Sequence, residues 1–291
     1  MGIANVKQRA SRRKGQTRAM GNVFSVELPY GFDASTFEVL DVEPDIDGVD
    51  WIEEEPALPD GSANLYVYNK STVGIALHLD EEFEVWVPAL ASQADWQLAF
   101  GVLQRSADLF ETIFVTWNDG DVWELSELEA HCGSDWQIDQ QVADTAALKD
   151  RVEIYGTVAV KGPMRTTHIG RSVLAEVGAG SVTIAGVLLR TNFVGGPHLV
   201  GHAETDDDQL VSVLGPGLRT LLPPSDAVLL DTIDLSIPPV VVRPEVLDDL
   251  SSVGVISVVR LDEGHRLVGA VAETAWSTVL RAALPNAVPG R

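Results

Sequence analysis

Apolar and polar residues alternate over residues 23–28, and again over 63–69 and 72–79, which predicts three strands, the last two forming a hairpin joined near Lys70 and Ser71. Residues 83–87 continue the pattern as a further strand of the same meander. The stretch from Asp33 to Asp60 is interrupted by Pro44, Pro56 and Pro59 and reads as loop with short extended pieces. At Ser92 the period changes. Ser92 and Asp95 have the spacing of a capping box, and Trp96, Phe100, Leu103, Ala107 and Phe110 follow at helical intervals, predicting a helix with an aromatic buried face. Residues 112–117 predict a strand, Asn118, Asp119 and Gly120 a turn, and 125–132 a short helix ended by Gly133. Ser134 with Gln137 predicts the cap of a helix through Leu148, and residues 151–160 read as strand.

In the second half the pattern predicts a short helix over 171–177, a buried strand over 182–189, an extended segment over 198–204 and strands over 209–214 and Ala227–Leu230. Gly215, Pro216 and Gly217 turn the chain. Val240–Val242 leads into a helix over 244–250, with Pro244 in its first turn. Residues 253–261 and 266–272 predict a hairpin over Asp262, Glu263 and Gly264. Thr274 is the expected cap of a last amphipathic helix carrying Trp276, Val279, Leu280 and Leu284. The expected fold is therefore α+β, with largely antiparallel mixed sheets, a few amphipathic helices and two packed subdomains. The expected organisation is an arm over 1–20, an acidic α+β domain over 21–150 and a second α+β domain over 151–291, ending in hairpin plus helix.

Two stretches resemble signatures of a family of uncharacterised bacterial domains of unknown function. One runs from Val87 and Pro88 through Ser92, Asp95, Trp96 and Ala99; the other is Leu218, Arg219, Thr220, Leu221, Leu222 and Pro223. Their order and separation are also similar, and together they cover about 20 residues. The resemblance implies a cytosolic bacterial α+β protein and carries over no catalytic residue. The acidic stretch and basic arm depart from that family's pattern.

Charge adds what periodicity cannot show. The 291 residues carry a formal net charge of -23, unevenly placed. Lys7, Arg9, Arg12, Arg13, Lys14 and Arg18 meet no acid in the first 18 residues, whereas between Ala19 and Leu148 the only basic residues are Lys70 and Arg105. Such a body attracts basic partners and repels nucleic acid, leaving the arm as the one segment able to contact nucleic acid. A halophilic source would select the same acidity. A single cysteine, Cys132, excludes an intrachain disulfide and an all-cysteine metal cage, making a reducing cytoplasm the expected location. No apolar run is long enough for a membrane span, and the first residues read as neither secretory signal nor myristoylation site.

Candidate chemistry is sparse. His198 and His202, with Asp206 nearby, are candidate metal ligands, but the glycines around them favour an extended loop and no third nitrogen or sulfur stands at fixed spacing. His131 adjoins Cys132 but points about 100° away from it on a helix, so a base for that thiol would have to be His168 or His265. A small buried hydrophobe is the better reading of Cys132. Asp41, Glu43, Asp45 and Asp47 alternate like calcium-loop ligands, yet Ile46 occupies the glycine position and Ile52 the bidentate-glutamate position. No G-x-S-x-G, Walker loop or G-x-G-x-x-G is present, and no cofactor is indicated. Asp45, Asp47, Asp50, Trp51, Glu53, Glu54 and Glu55 combine acid with an aromatic ring and form the expected partner-binding stretch. Trp117, Trp123 and Trp136 serve either that surface or the core.

These features favour a non-enzymatic interaction protein whose acidic surface binds a basic protein, as inhibitors and immunity factors do. The alternative is an assembly protein in which the arm docks on the acidic body of another copy. An enzyme of unknown chemistry is the third class.

Overall fold

The computed structural model describes residues 21–53, 62–118, 120–194, 201–204, 209–232 and 237–288, with backbone alone at 36, 51–53 and 201–204. It is an α+β fold of two compact units. The first unit contains the described residues through Ile154 together with Lys161–Arg165 and Ile184–Asn192; the rest form the second.

The first unit is built on β1 (Gly21–Glu27), a short helix α1 (Val39–Val42), β2 (Val49–Glu53), β3 (Ser62–Val67), β4 (Ile75–Leu79) and β5 (Glu82–Pro88). There follow α2 (Gln93–Phe110), β6 (Phe114–Trp117), β7 (Asp121–Glu124), α3 (Leu128–Cys132) and α4 (Ser134–Tyr155). The strands form one antiparallel sheet in the order β2-β3-β4-β5-β1-β6-β7. Alternation sends Phe24, Leu65, Ile75, Leu77, Phe83 and Val85 to one face, where all are fully buried. There Phe24 meets Trp96 of α2 edge-on, with ring centroids 6.3 Å apart, so the aromatic helix face predicted from sequence is what covers the sheet. On the opposite face the Tyr66 hydroxyl donates to Met164 Sδ, tying in the 161–165 segment.

Asp95 locks this unit. Its carboxylate is fully buried at the start of α2 and accepts the backbone N–H groups of Thr72 (3.1 Å), Gly74 (3.0 Å) and Ser92 (2.8 Å), plus the Ser92 hydroxyl (2.9 Å). The capping box read from sequence is thus also a long-range clamp on the β3–β4 connection. Gly74, at φ +71°, is required there, because a Cβ would stand 2.8 Å from the Leu65 carbonyl. Next to the clamp, Leu90 is held at φ 69°, a costly conformation for leucine, while its N–H donates to Asp144 Oδ2 of α4 at 2.8 Å.

The second unit contains most of β8 (Thr157–Lys161), then β9 (Thr166–Gly170) and α5 (Arg171–Gly178); α6 (Ile184–Asn192) belongs to the first. The remaining elements are β10 (Gly201–Glu204), β11 (Leu210–Leu214), β12 (Thr220–Leu222), β13 (Ala227–Leu230), β14 (Val240–Val242), α7 (Glu245–Ser252), β15 (Val258–Arg260), β16 (Arg266–Val268) and α8 (Glu273–Ala283). Sheets of order β10-β11-β13-β14, with β11 and β13 parallel, and β12-β16-β15 accompany the β8-β9 pair. Val228, Leu230, Val242, Leu247, Trp276 and Leu280 centre its core.

Several elements differ from the sequence pattern. Residues 182–189, expected as a strand, lie largely in α6: Ile184, Val187, Leu188 and Thr191 are buried at the i, i+3, i+4, i+7 period, which a short continuous apolar run conceals. The strand expected over 151–160 begins only at Thr157, because α4 runs on to Tyr155, burying Leu148 and Val152 on one face, and stops at Gly156 with φ +80°. Strands β7, β9 and β12 were not apparent from pattern; each is five residues or fewer. The N-cap of α8 is Ala272 rather than Thr274, and Leu284 is exposed beyond the helix. Gln137 does not cap α4; its amide donates to the Cys132 carbonyl.

Asp95→Asn replaces an acceptor within hydrogen-bond distance of six N–H and O–H groups, on Thr72, Val73, Gly74 and Ser92, with an amide that leaves some of them unpaired. It is expected to destabilise the first unit by about 3 kcal/mol in urea titration, whereas exposed Asp108→Asn changes stability by less than about 0.5 kcal/mol.

Candidate functional site

The acidic residues do not gather as their order in the chain suggests. Asp45 and Asp47 are exposed ahead of β2, at the end of the sheet where Val49 pairs with Val67. Asp50 is exposed on this edge strand opposite Tyr66, whose phenol is pushed up by burial and then by the Asp50 charge. Glu53 lies at the other end, opposite Ala63. The side chains of Trp51 and Glu53 lie outside the described residues, as do Glu54, Glu55 and the six arm cations Lys7, Arg9, Arg12, Arg13, Lys14 and Arg18.

Register brings other acids to the Glu53 end. Ser62 pairs with His78, so the Asp80–Glu81 turn after β4 falls beside it; Glu82 pairs with Glu27; and β6 and β7 end there through the Phe114–Glu124 pair. Glu53, Asp80, Glu81, Glu82, Glu27 and Glu124 thus form an acidic rim across the sheet end, and all those with described side chains are exposed. Lys70 sits in the β3–β4 connection at the opposite end. The direct Glu27–Glu82 pairing sets like charges side by side, a mildly destabilising arrangement. Ile113 and Phe114, more than half exposed, add apolar surface beside Glu124. Sequence reasoning missed this pair; two large hydrophobes next to an acidic turn were the available signal.

The tryptophans do not supply that surface. Trp117 and Trp123 stack at 4.9 Å, His131 stacks on Trp123 at 4.4 Å, and Trp136 meets both Trp117 and Trp96 edge-on. They extend the core of the first unit as half-buried side chains. A recess lined by Ala91, Gln93, Trp96, Gln137, Ile138 and Gln141 holds about 180 Å³, below the roughly 300 Å³ at which small-ligand sites begin.

Cys132 is buried, and burial pushes its thiol up to about 11. That suits a packing residue and opposes a nucleophile. Asp41, the first residue of the calcium-like spacing, accepts the Glu38 N–H at the start of α1. His198 and Asp206 lie outside the described residues, and His202 is described only as backbone in β10.

In the second unit the β15–β16 hairpin turn collects a denser set of groups. Asp262, fully buried, accepts the N–H groups of Gly264 and His265 at 2.7 Å through Oδ1, and through Oδ2 the His168 N–H and His265 Nδ1, both at 2.9 Å. Glu263 accepts the Ser172 N–H and hydroxyl at 2.7 Å and the Val173 N–H at 3.2 Å, capping α5, and pairs with Arg260 at 2.6 Å. Burial raises the pKa of each carboxylate, but the hydrogen bonds from His265 and His168 to Asp262, and those from Ser172 and Val173 to Glu263 together with the Arg260 charge, outweigh it, so both are lowered. Gly170 approaches so closely that a Cβ there would meet Glu263.

Among protein-family models, curated proteins and solved structures, nothing matches this chain. No helix among the described residues is long and apolar enough to cross a membrane.

Cys132 is expected to resist a thiol reagent in the native state and to react at once in denaturant; native labelling at the rate of a free thiol would contradict its burial. Because Asp262 and Glu263 titrate below their unfolded values, the stability they contribute is present above the ordinary carboxylate range and lost as pH falls through the folded values. Urea midpoints measured between neutral and strongly acidic pH should therefore fall less steeply in Glu263→Gln than in the native chain.

Proposed function

We propose that this chain is a non-enzymatic interaction protein whose acidic sheet end binds a basic protein surface. The supporting observation is the convergence, through strand register, of acids from β1, β2, the β4–β5 turn and β7 on one rim beside exposed Ile113 and Phe114. Apolar contact ringed by like charge suits a partner presenting lysine and arginine around an apolar centre. The Glu27–Glu82 repulsion, retained in the free chain, would be relieved by a cation between the two carboxylates. The raised thiol of Cys132 opposes its use as a nucleophile.

The second reading is that the basic partner is the arm of another copy. Its support is the run of six cations without an acid ahead of Gly21.

Retention of a lysine-rich peptide by the full chain is expected at low salt and lost at high salt. Glu81→Lys with Glu82→Lys should abolish it and, by removing the Glu27 repulsion, raise stability by a few tenths of a kcal/mol. Asp135→Lys with Asp139→Lys makes the same net-charge change on exposed positions of α4. Equal loss in both double variants would mean that only net charge matters and would overturn the rim. Light scattering of the full chain and of a chain beginning at Met20 separates the readings: an oligomer lost on truncation supports arm docking, and monomers in both cases exclude it.

A further inference from the structure

Strand alternation gives the large sheet a second face, opposite α2. Val23 pairs with Trp86, Ser25 with Glu84 and Glu27 with Glu82, so these side chains point away from Phe24, Val26, Phe83 and Val85, which are buried beneath the helix. The Tyr66 contact with Met164 covers this second face at β3. Further across it is open: Trp86 is 38% exposed, and Val122 and Phe114, which the pairing of Ser25 with Thr116 places on the same side, are 52% and 51% exposed. None of the seven strands carries a lysine or an arginine. The open part therefore presents acid and apolar surface without a cation from its own strands.

The chain enters this face at Gly21. That residue pairs with Pro88, one step along the face from the pairing of Val23 with Trp86, and a Cβ on it would stand 2.5 Å from Trp86 Nε1 and 2.7 Å from the Val87 carbonyl. The indole thus lies against the point from which the basic segment departs, and the φ of +150° at Gly21 is open to glycine rather than to other residues. From Gly21 to Glu27 the strand covers six steps, about 20 Å. Counting back along the chain, Arg18 stands three residues from Gly21, within about 10 Å of extended chain, and Lys14, Arg13 and Arg12 stand seven to nine residues away, within about 23–30 Å. A segment that reverses at Gly21 and runs back along the face carries Arg18 level with Trp86, and the three further cations level with the Glu27–Glu82 pair.

We propose that residues 12–20 form a strap over the open face of their own sheet, with Arg18 stacked on Trp86 and Lys14, Arg13 and Arg12 against Glu27 and Glu82. Each contact is weak by itself, since exposed ion pairs contribute little and a cation over an exposed indole only somewhat more. Tethering at Gly21 compensates, because a short linker holds the cations at an effective concentration in the millimolar range. Cations between Glu27 and Glu82 also relieve the like-charge pairing of those two residues. The strap is intramolecular, unlike an arm docked on another copy, and it covers the part of the rim that a basic partner would use. The strap itself stands on the geometry of this face; its role as a competitor rests on the partner reading proposed above.

Carbodiimide coupling joins an amine to a carboxylate only where the two touch, and it tests the strap directly. A dilute equal mixture of isotope-labelled and unlabelled full chain is coupled at low salt and read by mass spectrometry. Links within one chain from Lys14 to Glu27 or Glu82 are expected. Links from Lys14 only to Asp135 or Asp139 of α4, only between labelled and unlabelled chains, or to no carboxylate would each overturn the strap. Competition is read from the affinity for a lysine-rich peptide. A chain beginning at Met20 should bind it at least about threefold more tightly than the full chain, and Glu27→Gln with Glu82→Gln should reduce that gain to below about 1.5-fold. An equal gain with and without the two substitutions would be an effect of net charge and would overturn the competition. If neither chain retains the peptide while the Lys14 links form, the partner reading fails and the strap stands.

Discussion

The first unit depends on one buried carboxylate. Asp95 caps α2 as its local sequence requires, but the donors it gathers come from Thr72 and Gly74 as well as Ser92, so a helix start and a sheet connection share one acceptor. A charge with no exposure is tolerated there because its hydrogen bonds replace water, and the same enclosure makes any change of partner costly. The aromatic face of α2 then has one register on the sheet, with Phe24 beneath Trp96. Strain at Leu90 persists because Asp144 and the clamp fix the loop from both sides.

The second unit solves a similar problem with a turn. Asp262 satisfies the tight hairpin and reaches back to β9, while Glu263 caps α5. Neighbouring acids therefore join the hairpin turn to the adjacent β9 and α5, about ninety residues earlier in the chain. Arg266, almost fully buried, meets Asp248 at 3.0 Å and ties β16 to α7 in the same manner. These buried polar contacts specify arrangement, while burial of residues such as Trp276 and Leu280 supplies the cohesion.

The charge of the chain was plain from composition, but its geography was not. The run from Asp45 to Glu53 follows an edge strand from one end of the sheet to the other, so neighbours in sequence are separated in space. Glu27, Glu82 and Glu124, far apart in the chain, are brought together because antiparallel pairing returns each strand to the same end. The tryptophans show the converse: their acidic neighbours left a docking surface and a core role both open, and stacking on one another and on His131 makes them part of the core edge.

Local chemistry made the α2 cap, the early meander, the final hairpin and the α+β class legible, because capping spacing, alternation and turn residues act over a few positions. Where a run was uniformly apolar, as at α6, two periods fitted equally and only packing chose the helix. Sequence likewise showed His168, Asp262 and His265 as unrelated residues. Folding across 94 positions placed a carboxylate between a backbone N–H and an imidazole, and no short-range pattern encodes a contact of that span. The sequence by itself determined which groups carry charge and which segments have a strong local preference. Tertiary structure alone decided which of them share a site, because strand register and long-range hydrogen bonding depend on the whole chain.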